Sequence, residues 1–229
     1  MTFVSAAQFD EARDELWDLL GGFLSSYAER QPVAKVAVVG NAPLEPDAAR
    51  AAEIDSSDLV IRANSLALDE PGDPPCLGTR CHVLILSHAT RTTPWVFQDY
   101  RRRAYLVPQA GAVRYYKVNP AVSFWPNDLG AVPIPNAVVK KRLVDLMDPD
   151  HAPGDLTPTS GLMGLYLAHE LFPEADMVAT GFSFVDGASQ ASWRHHSGGE
   201  TAVNRYHDLA LEGGLLRRWI DDGSTRFLP

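Results

Sequence analysis

Cysteine is almost missing from this chain. Cys76 and Cys81, in the stretch CLGTRC, are the two among 229 residues. Spaced five apart, they are compatible with a disulfide, part of a metal site, or two buried thiols; with no secretion signal, reduced thiols are the expected state. Positive charge is short as well. Twenty Lys and Arg stand against 29 Asp and Glu, a net charge of −9, which argues against nucleic acid as a bulk partner, because phosphate backbones need a basic face. No run approaches 18 uninterrupted apolar residues, so no membrane span is expected. The first stretch, MTFVSAAQFDEARDELWDLL, mixes acids with apolar residues and has no basic n-region. It reads as an amphipathic helix and not a signal peptide, and the expected compartment is a bacterial-type cytoplasm. Three nucleotide and metal signatures are also lacking. VGNAPLEPD (39–47) has one glycine where a dinucleotide loop has three, no Walker lysine follows it, and there is no HExxH spacing.

What the chain does have is 45% hydrophobic residues, enough for a full core in one α/β domain. Residues 5–30 show helical periodicity. VAKVAVVG (33–40), DLVIRAN (58–64) and CHVLILS (81–87) are short apolar runs that predict buried strands. A helix is predicted over 93–103 and a strand over 104–108. Residues 109–135 lack a period and predict a long ordered loop. A helix (135–147), the breaker-rich loop DPDHAPGDLTPT (148–159), an apolar helix (160–172) and a strand (175–184) follow. A Gly/Ser/His loop (185–200), a helix over about 201–221 that breaks near His207, and a strand at 225–228 complete the series. Strands alternate with helices. The expectation is α/β: a single Rossmann-like domain over residues 1–229, a mostly parallel sheet flanked by helices, with 1–30 a helix packed on it.

In open parallel sheets, ligands bind beyond the carboxyl ends of the strands. Candidate residues there are Gly40 and Asn41, Arg62 and Asn64, Ser87 with His88, and Gly181-Phe182-Ser183. Asn41 taken alone also fits a turn residue. Pro158-Thr159-Ser160-Gly161 opens an apolar helix. That is an N-cap and, equally, an anion site, since the first amides of a helix lack internal acceptors. His195, His196 and His207 fall within thirteen residues, and imidazole suits proton transfer near neutral pH. Asp148-Pro149-Asp150 reads as a turn. The stretch HDLALEGGLLRRWIDDG (207–223) breaks two local rules. It puts a histidine at a helix start and a Gly-Gly pair in its interior, where glycine costs about 1 kcal/mol relative to alanine.

In order along the chain, VAVVGNAPLEPDAARAAEIDSSDLVIRAN (36–64), PTSGLMGLYLAHELFPEADMVATGF (158–182), HHSG (195–198) and HDLALE (207–212) resemble the large, small, third and very short motifs of the animal-type sialyltransferase family. The four span about 175 residues. The resemblance implies a GT-A-variant fold and metal-independent transfer, with inversion, of a sialic-acid-like sugar from its CMP ester to a hydroxyl acceptor, without cofactor. It implies that Asn41 and Asn64 hold phosphate or ribose, that Ser160 and Gly161 contact the nucleotide or donor carboxylate, and that His195 or His196 donates to the departing phosphate. His207 would be the general base. Gly40, Arg62, Ser87, Thr159, Gly181 and Phe182 complete the expected donor side. Tyr115, Tyr116 and Trp125 are expected on the acceptor side, with Glu212 in a structural role. Glu212 lies five residues past His207, about 140° around a helix, so it is not expected to orient that histidine. Two departures stand out. Val36 or its neighbours and Phe172 occupy the family's cysteine positions, and HHSG lacks the third motif's tyrosines. The family's membrane anchor is also not expected here. A CMP-sugar or cytidine-nucleotide hydrolase and a non-catalytic nucleotide-binding scaffold are the other readings of the same residues.

Overall fold

A computed structural model of the chain describes residues 6–86, 93–109, 126, 128–150, 156–187 and 189–229. The expected site residues Ser87, Tyr115, Tyr116 and Trp125, with His88, lie outside the described residues. Helix α1 (Ala6–Ser25) leads into β1 (Lys35–Val39), α2 (Ala48–Asp55), β2 (Leu59–Ala63) and β3 (Val83–Ile85). A short 3-10 turn, Tyr100–Arg102, precedes β4 (Ala104–Gln109) and β5 (Ala131–Pro135). Then come α3 (Asn136–Met147), α4 (Ser160–Leu171), β6 (Asp176–Thr180), a 3-10 turn (Ser183–Val185), β7 (Ser192–Arg194), β8 (Glu200–Ala202), α5 (Leu209–Asp221) and β9 (Arg226–Leu228).

Seven strands form one sheet in the order β5-β4-β3-β2-β1-β6-β9, every neighbouring pair parallel. The apolar runs explain this. All five residues of β2 are buried, as a strand covered on both faces requires. Alternate side chains serve two cores. Val36, Val38, Leu59, Ile61, Val83 and Ile85 pack with α1, α4 and α5, whereas Ala37, Val39 and Val60 pack with Ile54 of α2 and the 67–77 loop. Each fully buried Val, Leu or Ile contributes about 1.5–3 kcal/mol. The two thiols are free and buried. No helix among the described residues is long and apolar enough to cross a membrane.

Three expectations change. The predicted helix over 93–103 is a set of turns with only the 3-10 segment helical; Pro94 and the aromatics Trp95, Phe97 and Tyr100 favour turns that pack rings on a further cluster of Leu66, Leu84, Leu86, Tyr105 and Val107. The end of the predicted 109–135 loop is the edge strand β5, where two prolines at the sheet margin masked the pattern. The last helix does not begin near 201. Residues 192–202 form an antiparallel hairpin, and α5 begins at Leu209, capped by Asp208, whose Oδ1 accepts from the amides of Ala210 (3.1 Å) and Leu211 (3.0 Å).

Candidate active site

The strand order reverses at β1. Chain order runs outward through β2, β3, β4 and β5 on one side and through β6 and β9 on the other. A crevice opens at such a switch point, beyond the carboxyl ends. Glycines let the two strand ends meet there. The Gly40 amide donates to Thr180 O (2.8 Å) and the Ala42 amide to Gly181 O (3.0 Å). A Cβ on Gly40 would sit 2.2 Å from Gly181 O, and Gly181 has φ +75°, a conformation open to glycine.

Asn41 follows at once. Its Nδ2 donates to Ala63 O at the end of β2 (2.7 Å), and its carbonyl accepts from the His196 amide (2.8 Å). Asn64 sits in the left-handed region at φ 47°, which asparagine tolerates. The tip of the β7–β8 hairpin reaches over these strand ends. His196 Nδ1 accepts from the Leu44 amide (3.3 Å), and Ser197 Oγ donates to Ser65 O (3.1 Å). The neutral His196 ring therefore carries its proton on Nε2. Burial holds its pKa below the ordinary value. His195 lies in the same tip, its amide donating to Gly199 O (3.3 Å).

On the β6 side, Phe182 packs on the start of α4, where a Cβ on Gly161 would come within 2.9 Å of its ring. Thr159 is the N-cap: its Oγ1 accepts from the Leu162 amide (3.3 Å). By helix geometry the amides of Ser160 and Gly161 have no acceptor within α4.

His207 and Glu212 meet beside this cap. Thr159 donates its amide (3.0 Å) and its hydroxyl (2.7 Å) to Glu212 Oε2. His207 Nδ1 lies 2.5 Å from Thr157 O. A carbonyl only accepts, so Nδ1 bears the proton and Nε2 keeps a lone pair. Burial lowers the His207 pKa, partly opposed by that carbonyl. Glu212 is fully buried, and its carboxyl is pushed up to about 8. At neutral pH both groups are thus uncharged, and their 3.9 Å approach is a neutral contact and not an ion pair. Glu212 accepts from the Thr159 amide and hydroxyl, whereas the atom that holds His207 is Thr157 O. His207 precedes the helix, so the angular argument does not apply. The loop folds back to bring the two together over Thr157 and Thr159.

Arg62 departs from the donor-side position expected of it. It is 1% exposed, with Nε on Arg80 O (2.7 Å), Nη2 on Leu77 O (2.6 Å) and Nη1 on Ala67 O (3.3 Å). All three acceptors belong to the loop between β2 and β3, so Arg62 holds that loop and does not face a ligand. Gly213 answers the interior-glycine question: a Cβ there would fall 2.6 Å from Phe184 O, so α5 packs directly on the 183–185 turn. Gly214 shows no such constraint. Sequence reasoning missed Thr157, which acts through a backbone carbonyl and so leaves no residue-type signal. It also missed Trp193, whose ring meets His207 with centroids 6.2 Å apart at 76°. Among the described residues, no group of three or more His, Cys, Asp or Glu is placed to hold a metal ion.

No protein-family model matches the chain, and no curated protein matches it. Solved structures do. A structure described as that of a mammalian sialyltransferase aligns with a TM-score of 0.56 at 14% identity, over 86% of this chain and 69% of its own. A second, of a mammalian sialyltransferase in complex with Gal-beta-1-3GalNAc-ortho-nitrophenol, aligns with a TM-score of 0.56 at 12% identity, over 95% of this chain and 85% of its own. At these identities the likeness shows the fold.

Proposed function

We propose that this protein is a metal-independent, inverting glycosyltransferase that moves a sialic-acid-like sugar from its CMP ester to the hydroxyl of an acceptor. The observation that carries this reading is the His207 geometry. Its Nδ1–H is held by Thr157 O (2.5 Å), its pKa is kept low by burial, and it stands beside the α4 cap through Glu212 and Thr159. The fold shared with mammalian sialyltransferases supports the same assignment.

In the reaction, the acceptor oxygen attacks the anomeric carbon while its proton passes to His207 Nε2. The bond from that carbon to the phosphate oxygen breaks, and CMP departs with the electron pair. A neutral imidazole can take that proton, and a hydroxyl is a weak nucleophile until it does. Charge growing on the phosphate needs fixed donors. Asn41 has a second Nδ2 hydrogen beyond the one given to Ala63 O. The Ser160 and Gly161 amides sit at a helix N-terminus, which favours an anion. His196 carries its proton on Nε2 because Nδ1 is taken by the Leu44 amide, which favours it over His195 as the imidazole donor. Asn64, just past the end of β2, is assigned to the ribose or phosphate.

The experiment is a thermal-shift panel of CMP, UMP, GDP and NAD with EDTA present, followed by CMP-sialic acid with and without hydroxyl acceptors. CMP alone is expected to stabilise the protein, and transfer is expected to survive EDTA. His207→Ala is expected to keep the CMP shift and lose turnover by about 10²–10⁴-fold. No selectivity for CMP, or a His207→Ala enzyme that still turns over normally, refutes the reading. CMP release that ignores every acceptor replaces transfer by hydrolysis.

A further inference from the structure

The β7–β8 hairpin does two things at once. Its tip is pinned to the donor side through His196 to Asn41 (2.8 Å) and Leu44 (3.3 Å) and through Ser197 to Ser65 (3.1 Å). Its first strand puts Trp193 against His207. The Nδ1–H bond to Thr157 O fixes the imidazole's tautomer and, with the Cβ–Cγ bond, restrains one edge of the ring. The Trp193 ring supplies a second contact, against the imidazole itself, that restrains how Nε2 presents its lone pair.

We propose that Trp193 is a positioning residue for His207: its indole, set at 76° to the imidazole with centroids 6.2 Å apart, fixes the ring plane and excludes water from it. This rests on the base role given to His207 above. The indole is itself braced. Phe184 meets it edge-on (6.5 Å, 76°), Phe182 meets Phe184 edge-on (5.7 Å, 78°), and Phe182 lies on Gly161. This ladder of rings runs from the carboxyl end of β6 and the α4 cap to the base, so the base is referenced to the same rigid elements that would hold the nucleotide. Edge-to-face is one of the two arrangements such pairs favour.

Charged and titratable groups near His207 do not belong to the ladder. Glu212 faces it from α5 at 3.9 Å. Asp208 follows it in sequence, with Oδ1 accepting from the amides of Ala210 and Leu211. Arg205 covers the Tyr206 ring at 4.9 Å. Trp193 carries no charge, so a shift on its removal reports water access and ring freedom.

The test follows the His207 ring by NMR pH titration in Trp193→Ala and Trp193→Phe, assigned by its loss in His207→Ala, and separately the acid limb of kcat/KM with CMP-sialic acid. Trp193→Ala is expected to raise the His207 pKa towards its ordinary 6.5 and move the acid limb up with it. It is expected to lower kcat about fivefold, the size of one aromatic contact, with the CMP thermal shift kept. Trp193→Phe is expected to shift the titration part of the way, which keeps the test alive should the alanine variant not fold. A His207 titration unmoved in either variant overturns the proposal. A moved titration in a protein that never turns over CMP-sialic acid leaves the positioning role standing and removes the proposed function instead.

Discussion

Replacing Glu212 with glutamine isolates one buried proton. The carboxyl is fully buried, accepts from the Thr159 amide (3.0 Å) and hydroxyl (2.7 Å), and has its pKa pushed from 4.5 to about 8. Burial is the largest cause; the Thr159 bonds oppose it. Between pH 4.5 and about 8 the folded protein holds a proton that the unfolded chain has released. Stability linked to this group therefore falls as pH rises through that window. The gap of about 3.5 pH units corresponds to about 5 kcal/mol at most. Glutamine keeps an acceptor oxygen for Thr159 and does not ionise. Four histidines run the other way. His82, His169, His196 and His207 have pKa values lowered by burial, so their contribution is lost as pH falls below about 6.5. They are common to both proteins and cancel in the difference. The assay is urea unfolding of wild type and Glu212→Gln from pH 5 to 9. The variant is expected to gain on wild type as pH rises to about 8 and then level off, by about 4 kcal/mol between pH 5 and 9. A difference that stays flat within about 0.5 kcal/mol refutes a proton held on Glu212, and with it the neutral His207–Glu212 contact.

Other perturbations probe the frame around the site. Gly40→Ala places a Cβ 2.2 Å from Gly181 O; the strands must part there, at about 3 kcal/mol or more. At about 2–4 °C per kcal/mol, calorimetry should show a fall in Tm of roughly 10 °C, together with a smaller CMP shift. Thr159→Val removes the cap on Leu162 and a hydroxyl from Glu212. It is expected to cost about 2 kcal/mol in urea unfolding and to raise the Glu212 pKa further. Arg62→Met strands the carbonyls of Arg80, Ala67 and Leu77 at about 3 kcal/mol, while the folded variant keeps its CMP affinity; a lost CMP shift in folded protein would return Arg62 to the binding site.

The strands and the apolar helix were legible because burial leaves a period that a few neighbouring residues carry. VAKVAVVG gave β1, and PTSGLMGLYLAHELF gave α4 with a cap at Thr159 or Ser160, of which the structure uses Thr159. Helix α2 was not singled out, although the Asp47 side chain caps it by accepting from the amides of Ala49 (2.8 Å) and Arg50 (3.0 Å); it is only eight residues long, and Ile54 is its one large apolar side chain. Arg62 shows the opposite failure. An arginine at a strand end suggests a ligand, but its guanidinium finds three carbonyls from a loop up to 18 residues away, and no local pattern encodes that.

By itself the sequence determined the class of the fold, the positions of most strands, the helix cap at 159–161 and the residue types that could move a proton, because each rests on the chemistry of neighbouring residues. Tertiary structure alone decided which of them meet. It joined Gly40 to Gly181, turned Arg62 inward, and carried His207 back over Thr157 to lie between Glu212 and Trp193. Those contacts link residues far apart along the chain, and their geometry follows from how strands and loops close in space, which periodicity and spacing do not record.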